Sequence, residues 1–303
     1  MTIVSVAILH FGEISVTKSC LESLRELDLS GIKLHVIIIN NDLRVEFPEV
    51  DKIGDLSVKV INNTTNTGFS GGHNQGFRFA VKNGSDFHVV LNNDVSVHKN
   101  LIKELINTFK RNPEAGIVSP KIYFSKGSEY HKDRYKKSEL GRVIWYAGGI
   151  TDWKNLINKH RGVDEVDHNQ YEEEGTTDFA TGACMMLPLS VIKEVGGFDE
   201  KYFLYYEDGD LNMRIKNKGY KIFFSPNAYM WHKNAASSSS GSTLQDYYIT
   251  RNRMIFGAAY APLRTKIALM RESIRILLNG REWQKKGIRD FYLRKFGKGS
   301  YQI

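Results

Sequence analysis

The chain reads as an α/β protein: a mostly parallel central sheet with helices on both faces. Three observations predict it. Short apolar runs alternate with segments of helical periodicity from Ile3 to Ser119, the pattern of a strand–helix sheet. The runs are almost continuously apolar, as strands buried on both faces are. Hydrophobic residues make up 41% and aromatics 12% of the 303 residues, enough for a substantial core and too much for a disordered chain.

Ile3–Leu9 and Leu34–Ile39 read as buried strands, separated by a helix whose apolar stripe is Cys20, Leu21, Leu24 and Leu27. Val58–Ile61 gives a third strand. Gly71–Val81 opens on glycines and then takes helical spacing through Phe77, Ala80 and Val81. Phe87–Leu91 is a fourth strand, and Leu101–Phe109 an amphipathic helix with apolar residues at 101, 102, 105, 106 and 109. Gly116–Ser119 is a short strand. Ser125–Arg142 is polar, basic and without periodicity, and reads as a mobile loop. Thr177–Leu187 resembles a strand pair, and Pro188 suits a helix's first turn. Gly219-Tyr220 closes one helix and leads into the strand Lys221–Phe224. Ser237–Ser242 reads as a flexible link or a phosphate-facing loop. Leu263–Phe296 is helical, with apolar and basic residues interleaved.

The net charge of +8 is unevenly placed. The segment from Pro262 onward holds 11 Lys/Arg and 3 Asp/Glu, leaving 31 of each sign before it, so this segment carries the whole excess. A basic, aliphatic helix of this kind fits an anionic membrane surface. Nucleic acid is a weaker partner, because no recognised binding fold accompanies the charge. No stretch approaches the roughly 20 apolar residues of a membrane span, and Thr2–Leu9 enters a strand with no cleavable signal pattern before it. Cys20 and Cys184 fall in a helix and a strand and read as buried apolar residues of a reducing cytoplasm.

Chemistry concentrates at three places. Asn92-Asn93-Asp94 follows an apolar strand, and ligands of open α/β sheets bind beyond the carboxyl ends of strands. An Asp held there can bind a divalent cation together with a diphosphate, with waters and a further protein ligand completing about six positions; His232, ending Tyr229–His232, is the candidate for that ligand. Asn66–Gly76 places glycines before a helix, where backbone N–H groups favour an anion, and adds Asn66, His73 and Asn74. Glu207-Asp208-Gly209-Asp210 opens a helix, where acids also serve the helix dipole. The preceding aromatics Phe198, Tyr202, Phe203 and Tyr205 form a low-dielectric wall that would raise a carboxylate's pKa, as suits a base for a sugar hydroxyl.

From Ile3 to Phe256 the chain resembles the family 2 glycosyltransferases, inverting enzymes of the GT-A nucleotide-sugar fold. Within them it is most similar to the branch containing rhamnosyl- and galactofuranosyltransferases. The resemblance is carried, in order, by His10-Phe11, Ile39-Asn40-Asn41, Asn66–Gly76, Leu91–Val95, Thr181–Ala183, Gly196–Glu200, Tyr206–Leu211, Gly219-Tyr220, Trp231-His232 and Arg251-Asn252. It implies a transferase domain over 1–256 with a basic amphipathic helical tail over 257–303. It implies Asp94 as a metal ligand with His232 as the distant one, Asp208 as catalytic base, and Glu207 beside it orienting the acceptor. Nucleotide and donor contacts would come from His10, Phe11, Asn40, Asn66, Gly71, Gly72, Asn74, Asn92 and Asn93. The implied cofactor is Mg²⁺ or Mn²⁺, and the implied donor a dTDP- or UDP-sugar, with rhamnose favoured. The acceptor would be a saccharide or lipid-linked saccharide at the inner face of the cytoplasmic membrane, in surface polysaccharide synthesis.

Two departures from the family pattern stand out. Asn92 replaces the first carboxylate of the D-x-D element. Asn40 replaces the usual Asp, a change that would fit thymine in place of uracil. Two other readings stay open: a sugar nucleotidyltransferase, and a non-catalytic carbohydrate-binding protein on a degenerate transferase fold. The first would want a basic, glycine-rich loop after the first strand, where this chain has Leu9–Ile14.

Overall fold

The structure is a computed structural model that describes residues 1–50, 52–54, 56–233 and 242–302. Its sheet grows from β1 (Thr2–His10), which is followed by α1 (Ile14–Leu24) and pairs in parallel with β2 (Ile32–Asn40). A two-residue β3 (Lys52–Ile53) turns into β4 (Leu56–Asn62), which lies parallel to β2. The helix α2 (Gly68–Lys82) then crosses over to β5 (Phe87–Asn92), parallel to β1 on its other side. Short β6 (Val95–Val97) and α3 (Leu101–Arg111) follow, and then β7 (Ala115–Phe124). That strand is much longer than its glycine-led core Gly116–Ser119 predicts.

Beyond β7 the chain turns antiparallel. β8 (Ile144–Tyr146) pairs with β7, and β9 (Gly149–Asp152) with β10 (Ile157–His160) form a separate hairpin that periodicity did not reveal. Two-residue β11 (Gly175–Thr176) edges the sheet, and β12 (Cys184–Pro188) inserts antiparallel between β5 and β7. After α4 (Leu189–Val195) and α5 (Glu207–Asn217) comes β13 (Lys221–His232), parallel to β7. This one strand joins the expected Lys221–Phe224 and Tyr229–His232, because a register shift between Ser225 and Tyr229 absorbs Pro226 without ending the pairing. The order is β11-β13-β7-β12-β5-β1-β2-β4-β3.

The stretch Ser125–Arg142, expected as a mobile loop, is tied to itself. Buried Glu129 accepts from the N–H groups of Gly127 and Gly141, and Trp231 Nε1 donates to Gly141 O at 3.0 Å. Cys20 and Cys184 are free and buried, and burial pushes the Cys20 thiol up to about 12. Residues 237–241 of the serine stretch lie outside the described residues. Ser242 caps α6 (Thr243–Tyr260), its Oγ accepting from Gln245 N.

The helix α6 runs unbroken through residue 256, where the sequence suggests a division. α7 (Leu263–Asn279) and α8 (Glu282–Tyr292) then fold back on it. Leu269 and Ile288 pack with Leu156, Tyr202, Met254 and Phe256. Burying a Leu or Ile here contributes about 2 kcal/mol each. Tyr247 on α6 donates to Asp290 on α8, and Tyr301 packs on Tyr247, Tyr248 and Trp283. Among the described residues no helix is long and apolar enough to cross a membrane.

Candidate functional site

Three strand ends converge beyond β5. The chain leaves β5 at Asn92 and enters β6 at Val95, which pairs with His232 at the end of β13. That antiparallel register sets Asp94 beside His232: Asp94 Oδ1 lies 3.0 Å from His232 Nε2, and Lys233 N–H donates to Asp94 O. Asn92 Nδ2 is 3.2 Å from the same imidazole nitrogen. The Trp145 ring covers His232 at 4.7 Å between centroids, while His232 Nδ1 is buried with no partner among the described residues.

A carboxylate oxygen and an imidazole nitrogen facing one another at this spacing form a donor pair suited to Mg²⁺ or Mn²⁺. Among the described residues no three or more His, Cys, Asp or Glu side chains are grouped so that they could hold a metal ion. Asn92, as an amide, adds no charge. Among the described residues the corner thus offers one carboxylate and one imidazole.

Asp208 stands on the adjoining strand's side of this corner. Asn92 N–H donates to Ala183 O at 3.0 Å, and the neighbouring Gly182 N–H donates to Asp208 Oδ2 at 3.1 Å. The other carboxylate oxygen accepts from Gly209 N–H at 2.7 Å, in the first turn of α5. Asn212 clamps the same segment, donating to Ala180 O and accepting from Ala180 N–H. Desolvation raises the Asp208 pKa despite these backbone donors. Glu207 is buried, with Oε2 lacking a partner among the described residues. Burial, with Asp208 adjacent, pushes its pKa well above the usual carboxylate range.

What holds this acid pair in place is a left-handed turn. Phe203, Tyr205 and Tyr206 all have positive φ (64°, 70° and 71°), and Tyr206 caps α5. For non-glycine residues this conformation costs about 1–2 kcal/mol each. Arg251 and Asn252 of α6 offset that cost by occupying the turn's carbonyls. Asn252 Nδ2 lies 2.7–2.8 Å from the carbonyl oxygens of Tyr202, Leu204 and Tyr205, and Arg251 reaches those of Lys201 and Tyr202. Asn252→Leu should remove the donor shared by the Tyr202, Leu204 and Tyr205 carbonyls, only the first of which Arg251 also reaches, and lower stability by about 3 kcal/mol, measured by urea denaturation. An unchanged denaturation midpoint would show that the turn does not depend on Asn252.

In the glycine-rich segment protein acceptors take the N–H groups at the start of α2. Gly68 N–H donates to Asn66 Oδ1 at 2.8 Å, and Phe69 and Ser70 N–H donate to Phe203 O. Gly68 has φ +70°, and a Cβ there would lie 2.4 Å from Phe203 O. Gly71 and Gly72 serve close packing: a Cβ at Gly72 would meet Leu9 Cδ1 at 2.3 Å, and one at Gly71 the Thr67 side chain. Asn74 is consumed by the backbone of Phe198 and by Glu200. His73 is buried between Phe69 and Phe198, with its pKa pushed down to about 3 by desolvation.

Asn40 is buried and hydrogen-bonded within the protein. Its amide donates to Val45 O and Asn62 Oδ1 and its oxygen accepts from Asp42 N–H, so it shapes the following loop. The surface beside that loop belongs to Phe11, which is exposed, and to Arg44, whose guanidinium lies 5.5 Å from the Phe11 ring centroid and pairs with buried Asp42. His10 is buried; its Nδ1 pairs with Thr17 Oγ1 at 2.6 Å, and burial lowers its pKa. Asn93 joins the same network through Thr17 Oγ1 and Phe11 O. Sequence reasoning passed over Asp42, Arg44, Trp145 and Asn158. None of these carries a local signal, although an Arg beside an exposed aromatic is a pairing worth seeking.

Solved structures define the class. The structure matches that of GalNAc-T7 with UDP, GalNAc and Mn²⁺ at TM-score 0.65, with 16% identity, over 95% of this chain and 54% of that one. It matches the Pyrobaculum calidifontis mannosyltransferase PcManGT, in complex with GDP-Man and Mn²⁺, at TM-score 0.52, with 14% identity, over 99% and 76%. The fold is thus of the GT-A type. The model of the family described as "Glycosyltransferase like family 2" matches residues 2–257, and the chain belongs to that family.

Among curated relatives, the low-salt glycan biosynthesis hexosyltransferase Agl10 of Haloferax volcanii is 27% identical over 195 residues, 64% of this chain and 57% of that protein. The N-acetylglucosaminyl-diphospho-decaprenol L-rhamnosyltransferase of Mycobacterium tuberculosis is 29% identical over 157 residues, 50% and 48%. The chain spans about half the length of these relatives.

Proposed function

We propose that this chain is an inverting glycosyltransferase that moves a sugar from a nucleoside-diphosphate donor to a saccharide or lipid-linked saccharide acceptor in surface polysaccharide synthesis. One observation carries the reading: the Asp94–His232 pair and the Asp208 carboxylate are joined through the paired ends of β5 and β12. Asp94 and His232 would hold a divalent cation, Mg²⁺ or Mn²⁺, whose chemistry is to offset charge on the departing diphosphate. Asp208, fixed by Gly182 and Gly209, removes the proton from an acceptor hydroxyl as its oxygen attacks the anomeric carbon. The bond to the diphosphate breaks on the opposite face, so a single displacement inverts the centre and needs no covalent nucleophile. Glu207, buried behind Asp208, orients the acceptor as a neutral acid. His10, Phe11 and Asn93 form the nucleotide side.

Rhamnose is the favoured sugar, on the likeness to the mycobacterial rhamnosyltransferase, with dTDP- and UDP-sugars as donors. An acceptor carried on lipid places the enzyme at the inner face of the cytoplasmic membrane, with the basic segment after residue 257 as its membrane contact. The test is a screen of nucleotide sugars, beginning with dTDP-rhamnose and UDP-sugars, for nucleoside diphosphate release that requires Mg²⁺ or Mn²⁺. Release from one donor, abolished by EDTA and stimulated by acceptor, is expected. Silence across the panel with both cations and a polyprenyl-linked saccharide present would sink the reading.

A further inference from the structure

We propose that the outer face of α7 is a docking surface for anionic lipid, and that the β9–β10 hairpin beside it lies between that surface and Asp208. The inference rests on the reading of the acceptor as lipid-linked, and deepens it by naming the face. Leu263, Ile267, Met270, Ile274 and Leu278 recur at intervals of four, three, four and four, which puts them on one stripe of the helix. All five are exposed, from 46% at Ile267 to 74% at Leu263. A single exposed leucine is ordinary, but a continuous stripe of five marks an interaction surface.

Leu269 and Ser273 point the other way and are buried, Ser273 Oγ meeting Tyr292 OH at 2.7 Å. The helix is thus docked on the body by its opposite side, and the stripe is left facing out.

Charge identifies the occupant. At 100° per residue, Arg264, Arg271 and Arg275 fall about 80° to one side of the stripe and Lys266 about 80° to the other. An apolar centre with cationic flanks is the profile of a helix lying in the headgroup region of an anionic bilayer. A second copy of this chain fits less well, since a two-fold pairing of the stripes would bring the cationic flanks together. The stretch from Pro262 onward, in which α7 is the first helix, also carries the whole charge excess of the chain.

The hairpin supplies the link to chemistry. Thr265 Oγ1 on α7 donates to Trp153 O at 3.2 Å, and Arg253, paired with Glu272 on α7, donates to Asn155 O at 3.1 Å. At the hairpin's far side Asn158 closes on Gly209, where a Cβ would lie 2.9 Å from its amide nitrogen, and Gly209 N–H holds Asp208. The turn between the strands also anchors Tyr206, whose hydroxyl donates to Leu156 O. An acceptor anchored in lipid at α7 would therefore meet the hairpin before the base.

The test uses the full chain and vesicles of phosphatidylglycerol with phosphatidylcholine, read by co-sedimentation at low and high salt. Binding to the anionic vesicles and not to phosphatidylcholine alone is expected. Replacing Arg264, Arg271 and Arg275 by Gln should weaken low-salt binding by about five-fold per charge, on the order of a hundred-fold together. Replacing Ile267, Met270 and Ile274 by Asn should remove the fraction that persists in high salt. All six positions are outward or flanking, and unchanged circular dichroism and melting would show that the variants fold. Nucleoside diphosphate release with a soluble acceptor should be unchanged in both variants, which separates this inference from the transferase reading.

Two results overturn the proposal: a folded full chain that ignores anionic vesicles at low salt, or a dimer in light scattering that the Asn variant dissolves while vesicle binding persists.

Discussion

Asp208→Asn is expected to lower kcat by about three orders of magnitude, some 4 kcal/mol in barrier, while donor binding stays near its original strength. The amide keeps the shape of the carboxylate, and its one oxygen can still accept from either Gly182 or Gly209, so one of the two bonds that fix the first turn of α5 is retained. What is lost is the site that takes the acceptor's proton. The pH profile gives a sharper sign. Desolvation raises the Asp208 pKa, so the working, ionised form is depleted as pH falls through a value above that of an ordinary aspartate. The wild type should therefore show an acid limb displaced upward, and the variant's residual rate should lack it. Glu207→Gln provides the contrast. Burial, with Asp208 adjacent, pushes the Glu207 pKa up and so disfavours its charge, and its isosteric amide should retain the limb and most of the rate. A D208N enzyme with near wild-type turnover at saturating acceptor would remove Asp208 as the base.

Which parts of this arrangement could be read from sequence follows from where their partners lie. Strands β1, β2 and β5 declare themselves because burial on both faces requires apolar residues throughout. The Asp94–His232 pairing was open to inference because each residue ends such a run. The packing of the glycine-rich segment was hidden for the converse reason. Its local pattern matches an anion-binding helix start, but the acceptor that closes it, Phe203 O, is over 130 residues away. The protein partners of Asn74 and Asn40 were hidden likewise, since a side-chain amide's partner cannot be told from its neighbours in sequence. The β9–β10 hairpin mixes exposed Ile150 and Ile157 with polar residues and is too short for a clear period. Its role comes from standing between α7 and α5, a relation only the tertiary fold creates. The C-terminal helices were legible as basic and amphipathic. Which aliphatics face outward depends on α6 and α8 having claimed Leu269 and Ser273.

Asp94→Ala and His232→Ala should each weaken metal-dependent binding of the nucleoside diphosphate by more than the roughly 10–100-fold that loss of an outer-shell partner costs. Calorimetry with and without Mn²⁺ measures it. The expectation follows from Asp94 and His232 being the carboxylate and imidazole that face one another at this corner: among the described residues no third such group joins them, so removing either halves what those residues contribute. Asn92→Ala sets the scale for an indirect role. Its amide touches His232 Nε2 and carries no charge, so its loss should cost about ten-fold. With EDTA present, the wild type and all three variants should converge on one weak affinity, because without the cation the diphosphate contacts only groups that none of them alters. His232 also packs under Trp145, and a purely structural histidine would be missed for that packing alone. His232→Phe separates the two, keeping a ring beneath Trp145 while deleting the nitrogen. If His232→Phe binds the diphosphate with Mn²⁺ as tightly as wild type, the imidazole is a packing residue and Asp94 stands alone as ligand. If it falls with His232→Ala, the nitrogen is what the site requires.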